Sequence, residues 1–291
     1  ARFRCYLYYH YLYAVAWRGS REYSYGYTFG SDINLDCKPC ISSHYRHLFY
    51  IQPPIFPPMN TLLISLYTIA LIVSAAYFAI IMLFTIGWLK LKRNDPAQTA
   101  RISVIVAARN EELNIRTCLR SIAAQDYPSG LFEIIVVNDH STDNTVMEID
   151  CSIAENRGVR ISVLHLSNEE KGKKAAIAKA VAFAANEWIV TTDADCTMGK
   201  NWLSSLIVQA DDPEIKLLMA PVVYNPAKTA FGKMQELEFL SLIATAAGAV
   251  SVGLPIMCNG ANMAYRRDAF NETGGYETDN KFASGDDVFL M

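Results

Sequence analysis

A basic excess is absent from this 291-residue chain, which carries 26 lysines and arginines against 29 aspartates and glutamates. The formal net charge is -3, whereas proteins that bind nucleic acid through its phosphates show a clear basic excess. This argues against nucleic acid as the main partner. Charged residues make up only 19% of the chain and hydrophobic residues 52%, so the chain is more apolar than an ordinary soluble domain.

Several diagnostic motifs are also missing. The lone CxxC pair, Cys37 and Cys40, has neither a second pair nor a βαβ context, so it does not favour metal or redox chemistry. Four other cysteines are scattered through predicted helices and strands, as is typical of reduced thiols in a cytosolic domain: Cys118, Cys151, Cys196 and Cys258. Neither GxSxG nor the P-loop pattern occurs, which excludes the corresponding hydrolase and phosphate-loop interpretations.

Methionine does not occur before Met59, and residues 1–58 hold ten of the sixteen tyrosines without helical or strand periodicity. We therefore expect translation to start at Met59 and residues 1–58 to be disordered or an upstream extension. A genuine leader is the alternative. The final residues, GDDVFLM, stop in mid-pattern, so the domain predicted over residues 91–291 is expected to be truncated at its C-terminus.

Charge is missing altogether from Asn60 to Leu89, a run dominated by leucine, isoleucine, alanine and phenylalanine. Because roughly 20 apolar residues span a bilayer core as a helix, residues 59–90 are predicted to form one transmembrane helix. Basic residues follow at positions 90, 92 and 93, so the positive-inside rule places the following domain on the cytoplasmic face of the inner (plasma) membrane. A buried core helix is the alternative interpretation.

A second uncharged run extends from Phe239 to Tyr265 and is broken by Gly248, Gly253 and Pro255. We interpret it as a buried or interfacial helix followed by a strand or loop, because glycine and proline interrupt regular structure. A second membrane span is the alternative.

The remaining sequence alternates short apolar runs with helical patterns. Strands are predicted at 102–108, 133–138, 161–166, 188–195 and 217–223, and helices at 113–125, 141–156 and 173–186. Strands that are apolar throughout and alternate with helices indicate an α/β fold with a Rossmann-like, mostly parallel sheet. Ligands bind at the carboxyl ends of the strands in such sheets.

Polar residues follow these predicted strands at the points where they end. Arg109, Asn110 and Glu111 follow the first strand, Asp139 follows the second, and Asp193 and Asp195 end the fourth. This clustering predicts a binding site at one edge of the sheet.

Asp193 and Asp195 form a DAD motif, and residues two apart on an extended segment share a face. Two carboxylates there repel each other unless a cation lies between them, and oxygen ligands of this kind suit Mg²⁺ or Mn²⁺. A solvated acidic loop is the alternative, but the position after a strand and beside Asp139 favours the metal site.

Two further charged groups are candidates. The basic run from Lys171 to Lys174 precedes a helix, where cations oppose the helix dipole unless an anion such as a diphosphate binds nearby. Asp286 and Asp287 are adjacent acids that raise each other's pKa, which suits a general base. A solvated basic turn and an ordinary acidic turn are the respective alternatives.

Six motifs in fixed order resemble the inverting family-2 glycosyltransferases with the GT-A fold, over about residues 102–291. They are AARNEE, VVNDHSTDNT, GKKAAI, TTDAD, CNGANMAYRRDAF with GGY, and ASGDD. The preceding apolar helix resembles the membrane-anchored bacterial branch of that family, which implies polysaccharide or glycolipid biosynthesis. The implied partners are a nucleotide sugar, usually UDP-linked, and a glycan or lipid acceptor.

The resemblance also implies roles for individual residues. Ala108, Arg109, Glu111 and Asp139 would bind the nucleotide, Lys174 would lie near the diphosphate, and Asp193 would contact the nucleotide sugar. Asp195, with Asp193, would hold the divalent metal. Gly260, Ala261 and Asn262 would line the donor-sugar and acceptor pocket, and Asp287, beside Asp286, would be the general base.

Two positions depart from the family pattern. Asp286 stands where the family has glutamate, and Lys179 stands where it often has asparagine. A nucleotidyltransferase is one alternative function, but it predicts a glycine-rich basic loop after the first strand, where this chain has Arg109 to Glu112. A catalytically incomplete, membrane-bound module that binds nucleotide sugars is the other.

Overall fold

The computed structural model describes residues 61–90, 100–224 and 228–276, together with the backbone of two short strands before residue 20. The chain divides into two compact units, one formed by residues 1–19 and 80–291 and the other by residues 20–79. Everything that bears on the candidate site lies in the first unit.

The regular elements, in chain order, are as follows. The N-terminal part contains β1 (Cys5–Leu7), β2 (Val15–Arg18) and α1 (Thr61–Lys90). The central part contains β3 (Ile102–Ala108), α2 (Ile115–Ala123), β4 (Phe132–Asn138), α3 (Thr145–Glu155), β5 (Arg160–His165), α4 (Gly172–Phe183) and β6 (Trp188–Asp193). The last part contains β7 (Cys196–Met198), α5 (Trp202–Leu206), β8 (Ile215–Met219), β9 (Val223–Tyr224), α6 (Ala230–Ser251), β10 (Met263–Arg266) and α7 (Arg267–Glu272).

The apolar run predicted as a membrane helix forms α1. Within the described residues it is the one helix long and apolar enough to cross a bilayer, over Leu63–Lys90. Its large side chains are exposed, as in Leu71 and Tyr77, whereas a core helix would bury them. Within the part of the chain that the structure describes, this helix is therefore not buried.

The main sheet has seven strands in the order β2-β8-β10-β6-β3-β4-β5. β3 pairs in parallel with both β4 and β6, and β4 pairs in parallel with β5. β10 is antiparallel to β6 and β8, and β2 is antiparallel to β8. Five strands therefore run in one direction, which confirms the predicted mostly parallel α/β sheet. A second sheet has the order β7-β1-β9.

Both faces of the central strands are buried. Val104 and Val106 of β3 belong to the core beneath α2, whereas Ile105 belongs to the core beneath α4, because successive strand residues point to opposite faces. α2 buries Ile115, Cys118, Leu119 and Ile122 at helical spacing. Leu113 had been included in this helical pattern, but it precedes the helix and is exposed, so the predicted start was wrong by two residues.

The sequence predicted no regular element in residues 1–58, whereas β1 and β2 lie there. Strands of three and four residues are too short to be recognised from an alternating sequence pattern. They form because β1 pairs with β7 and β9, and β2 pairs with β8. The expectation that residues 1–58 are an upstream extension stays a prediction. Cys37 and Cys40 lie outside the described residues.

The run predicted as a helix followed by a strand or loop is confirmed in outline. Its helix is the end of α6, which begins nine residues before Phe239 at Ala230, and its strand is β10. The side chain of Thr229 caps α6 by accepting a hydrogen bond from the Gly232 amide at 3.1 Å.

Candidate active site

The loops after β3 and β4 are tied together by hydrogen bonds. The Asn110 side chain accepts from the Thr142 amide at 2.8 Å, and the Asn110 amide donates to Ser141 Oγ at 3.1 Å. The Glu111 amide donates to Thr145 Oγ1 at 2.8 Å. These bonds leave the side chains of the first loop in fixed positions above the sheet edge.

Asn110 and His140 each adopt a left-handed backbone, with φ of 56° and 53°. Non-glycine residues take this conformation rarely, and it is found most often where the surrounding structure enforces it, as at binding sites. His140 Nδ1 lies 2.9 Å from Asp139 Oδ1, while its Nε2 is buried without a hydrogen-bond partner among the described residues.

Asp139 is the most buried acid of the predicted site, at 6% exposure. Its Oδ2 accepts a hydrogen bond from the Gly172 amide at 3.1 Å and lies 3.6 Å from Nη1 of Arg109. Its own amide donates to the Ala108 carbonyl at 2.9 Å. Asp139 therefore joins the ends of β3 and β4 to the start of α4, where the basic run lies.

Three carboxylates, those of Asp195, Asp193 and Glu111, interact electrostatically near the end of β6. Burial raises the pKa of Asp195, and the nearby negative charges of Asp193 and Glu111 raise it further. Burial also raises the pKa of the Cys118 thiol beneath them, with the same three acids contributing. The sequence placed Glu111 beside the nucleotide, and its closeness to the DAD acids became apparent only in the folded chain.

A lysine neutralises part of this acidic cluster. Lys173 Nζ lies 2.8 Å from Asp193 Oδ1, and the two side chains are 34% and 42% exposed. The family resemblance implied that Lys174 lies near the diphosphate. For Lys173 the sequence left two interpretations open, a diphosphate contact and a solvated basic turn. Because α4 begins at Gly172, Lys173 lies in its first turn and reaches the end of β6, a register that the sequence could not fix.

The segment from Gly260 to Asn262 lies against the same strand. The Gly260 carbonyl accepts a hydrogen bond from Thr191 Oγ1 at 2.8 Å, two residues before Asp193. Asn262 is fully buried: it accepts from Trp202 Nε1 at 2.8 Å and donates to the Pro221 carbonyl at 2.8 Å. Both hydrogen bonds are internal and hold the segment in place, and contact with a ligand stays a prediction.

Lys179, which departs from the family pattern, pairs with Glu170 at 2.7 Å. This pairing lowers the pKa of Glu170 to about 2. The Ser167 amide donates to the same carboxylate at 2.8 Å, so Lys179 stabilises the turn before α4. Asp286 and Asp287 lie outside the described residues, and their role as base stays a prediction.

The donor set fits a divalent cation in chemistry. Asp193, Asp195 and Glu111 offer hard oxygen ligands, and their mutual repulsion would be relieved by a bound dication. Within the described ranges, no group of three or more His, Cys, Asp or Glu side chains has the spacing to hold a metal ion. Mg²⁺ and Mn²⁺ take part of their ligand shell from substrate phosphates and water.

A mostly parallel sheet with acids and a lysine gathered at its carboxyl edge defines an α/β protein with a candidate ligand-binding site at that edge. The chain belongs to glycosyl transferase family 2, whose model matches residues 103–274. The candidate site residues described above, from Ala108 to Asn262, all lie within the matched range.

Curated relatives agree with this assignment. The chain is 28% identical to a probable glycosyltransferase, YdaM, of Bacillus subtilis over 64% of this chain and 45% of the relative. It is 26% identical to the poly-beta-1,6-N-acetyl-D-glucosamine synthase of Staphylococcus epidermidis, over 72% of this chain and 50% of that protein. An N-acetylglucosaminyltransferase of Rhizobium meliloti is 30% identical over 60% of this chain and 42% of its own length. The chain thus spans about half the length of these relatives.

Among solved structures, the mannosyltransferase PcManGT of Pyrobaculum calidifontis, in complex with GDP-Man and Mn²⁺, superposes with a TM-score of 0.55. It is 25% identical, and the match covers 73% of this chain and 59% of that one. The similarity confirms the predicted GT-A fold.

Proposed function

We propose that this chain transfers a sugar from a nucleotide diphosphate sugar to an acceptor hydroxyl, with inversion, at the cytoplasmic face of the inner membrane. The half-buried Asp195 carries the proposal, because burial and then the nearby charges of Asp193 and Glu111 raise its pKa at the edge where such ligands bind. The nucleotide is expected to be UDP, although the GDP-Man complex of PcManGT makes GDP the natural comparison.

Each side chain has a proposed task. Asp139, Arg109 and Glu111 bind the nucleoside at the ends of β3 and β4, with the backbone at Ala108 beside them. Lys173 and Lys174, in the first turn of α4, bind the diphosphate. The segment from Gly260 to Asn262 lines the pocket for the transferred sugar.

Asp195 and Asp193 would hold Mg²⁺ or Mn²⁺. A divalent cation supplies charge stabilisation for the departing diphosphate when it is bound. Asp287, assisted by the neighbouring charge of Asp286, takes the proton of the acceptor hydroxyl as its oxygen bonds to the anomeric carbon. The bond between that carbon and the diphosphate breaks on the opposite face, and the configuration inverts.

The membrane part of the proposal rests on α1, whose apolar side chains are exposed along most of its length. A helix of this kind is stable in hydrocarbon and unfavourable in water. The basic residues at positions 90, 92 and 93 support a cytoplasmic location for the following domain, by the positive-inside rule.

UDP binding to the full chain in nanodiscs, with and without Mn²⁺, tests the donor site. We expect Mn²⁺ to raise UDP affinity about tenfold or more, equivalent to about 1.4 kcal/mol. Asp195→Ala should remove this gain, while Asp150→Ala, an exposed aspartate on α3, should keep it. Equal affinity with and without Mn²⁺ in the wild-type chain would contradict the proposal. A parallel titration with GDP shows whether the site prefers uracil or guanine as the nucleobase of the donor.

A further inference from the structure

A cavity of about 90 Å³ lies beside the predicted sugar pocket. Measured in this way, one water needs about 10–15 Å³, so the cavity has room for a short chain of several carbon atoms. Its walls come from the end of α1, one face of α6, the end of β8 and the segment before Gly260. The lining includes Trp88, Pro221, Phe239, Ile243, Ala246 and Met257.

The chemistry of these walls favours hydrocarbon over sugar. Nearly every lining side chain is apolar, and the exception, Asn259, accepts a hydrogen bond from the Ala261 amide at 2.9 Å. Sugar hydroxyls in this cavity would give up hydrogen bonds to water and find few replacements. An alkyl or isoprenoid chain loses nothing there and gains burial.

The lining of the cavity continues into the segment predicted to line the sugar pocket. Cys258 and Asn259 line it, and the next residue, Gly260, is bonded to Thr191 on β6. Pro221, on another wall, accepts the hydrogen bond from Asn262. The cavity is therefore adjacent to the segment from Gly260 to Asn262.

The apolar helix α1 supplies one wall. A Cβ on Gly87 would overlap the Gly248 carbonyl oxygen, and a Cβ on Gly248 would overlap the carbonyl of Phe84. The two helices thus approach backbone to backbone, which brings Trp88, near the end of the apolar run, to the cavity. Trp88 is a residue type favoured at the membrane–water interface.

The surface near this corner is also apolar. Leu242 is 45% exposed on α6, and Leu254 and Ile256, in the segment leading to the cavity wall, are about half exposed. Exposed apolar surface of this kind, next to a helix that suits a bilayer, suits contact with lipid rather than with water.

We propose that the cavity between α1 and α6 binds the hydrocarbon chain of a lipid-linked acceptor and thereby directs its hydroxyl to the sugar pocket. This inference rests on the proposed function and narrows its acceptor to a lipid. The bilayer that accommodates α1 supplies the acceptor, and the chain of the lipid enters where Trp88 meets α6.

A photoreactive probe tests this in the full chain, held in phosphatidylcholine nanodiscs. The probe is decyl glucoside with a diazirine at the end of its chain, and cross-linked peptides are mapped by mass spectrometry. Ala246→Phe fills the cavity, and Ile243→Asn places an amide in it. Ala244→Phe is the matched control, because Ala244 lies on the same helix but does not line the cavity.

We expect label in residues 239–259, competed by unlabelled decyl glucoside and not by glucose oligosaccharides. Since each buried methylene contributes about fourfold in affinity, Ala246→Phe and Ile243→Asn should reduce this label about tenfold, and Ala244→Phe should not. Retained UDP binding shows that each variant is folded.

Wild-type amounts of label in all three variants, or competition by the oligosaccharides, would overturn the lipid site. Competition by the oligosaccharides would identify a glycan subsite instead. Failure of UDP to bind the wild-type chain would overturn the donor chemistry, while selective labelling would still support a hydrocarbon site. The two results are therefore distinguishable.

Discussion

The edge formed by β3, β4 and β6 and the corner between α1 and α6 are built by opposite means. At the edge, side chains such as Asn110, Asp139 and Lys173 are held by hydrogen bonds and ion pairs. At the corner, two glycines let helices touch, and the space beside them is lined by apolar groups. The comparison teaches that the proposed donor and acceptor sites have physically separate supports, so we expect that each can be damaged without the other.

The largest expected effect is at the corner. Replacing glycine by alanine normally stabilises a helix by about 1 kcal/mol, but a methyl group at Gly248 would overlap the Phe84 backbone. We expect Gly248→Ala to lower the free energy of unfolding by about 1–3 kcal/mol, as overpacking usually does. Chemical denaturation of the full chain in detergent measures the change.

Gly130→Ala is the control for this prediction, because nothing lies within 4 Å of a Cβ at that position. It should change stability by no more than about 0.5 kcal/mol. UDP affinity measured on both variants sharpens the comparison: a loss of UDP binding in folded Gly248→Ala would show that the edge and the corner are coupled after all.

An intermediate effect is expected at the edge. Lys173→Gln should weaken UDP binding about fivefold to tenfold, about 1–1.4 kcal/mol, because a charged donor to the diphosphate is lost. Stability should change little, since the Lys173–Asp193 pair is partly exposed and water screens it. Calorimetric titration with UDP and Mn²⁺ measures the affinity.

Lys216→Gln is the matched variant for Lys173, because the ion pair of Lys216 with Asp268 is long, at 4.0 Å, and lies away from the site. It should bind UDP as the wild type does. Unchanged UDP affinity in Lys173→Gln would show that Lys173 does not bind the diphosphate, and Lys174 would remain as the proposed contact.

The smallest effect concerns the turn before α4. Glu170 has its pKa lowered to about 2, chiefly by the side-chain contact with Lys179. Because the folded pKa lies below the unfolded one, the stabilisation is present above about pH 4.3 and is lost as pH falls towards 2. An NMR titration should show the carboxyl pKa moving towards its ordinary value in Lys179→Ala; a pKa that stays near 2 would assign the shift to the Ser167 contacts instead.

Much of the fold was predictable from local pattern. β3 coincides with its predicted range, and β4 and β5 differ from theirs by one residue, because buried parallel strands are continuous apolar runs bounded by polar turns. The edge position of Asp139 and Asp193 followed from the same rule about strand ends.

The predictions were less accurate where contacts between residues far apart in the chain determine the bounds and direction of a strand. The segment predicted as one strand over 217–223 is split between β8 and β9, which belong to different sheets. The antiparallel direction of β10 depends on its fit between β6 and β8. Lys173 was left open for a related reason: which lysine of a basic run faces a neighbouring strand depends on where the helix begins.

The sequence by itself determined the α/β class, the long apolar helix and the residues at the strand ends, because hydrophobic periodicity and turn chemistry are local properties. Only the tertiary structure decided that Glu111 adds its charge to the DAD acids and that Lys173 offsets part of it. It alone brought Gly87 to Gly248 and enclosed the apolar cavity. These contacts join residues far apart in the chain, and their geometry is fixed by the packing of whole elements.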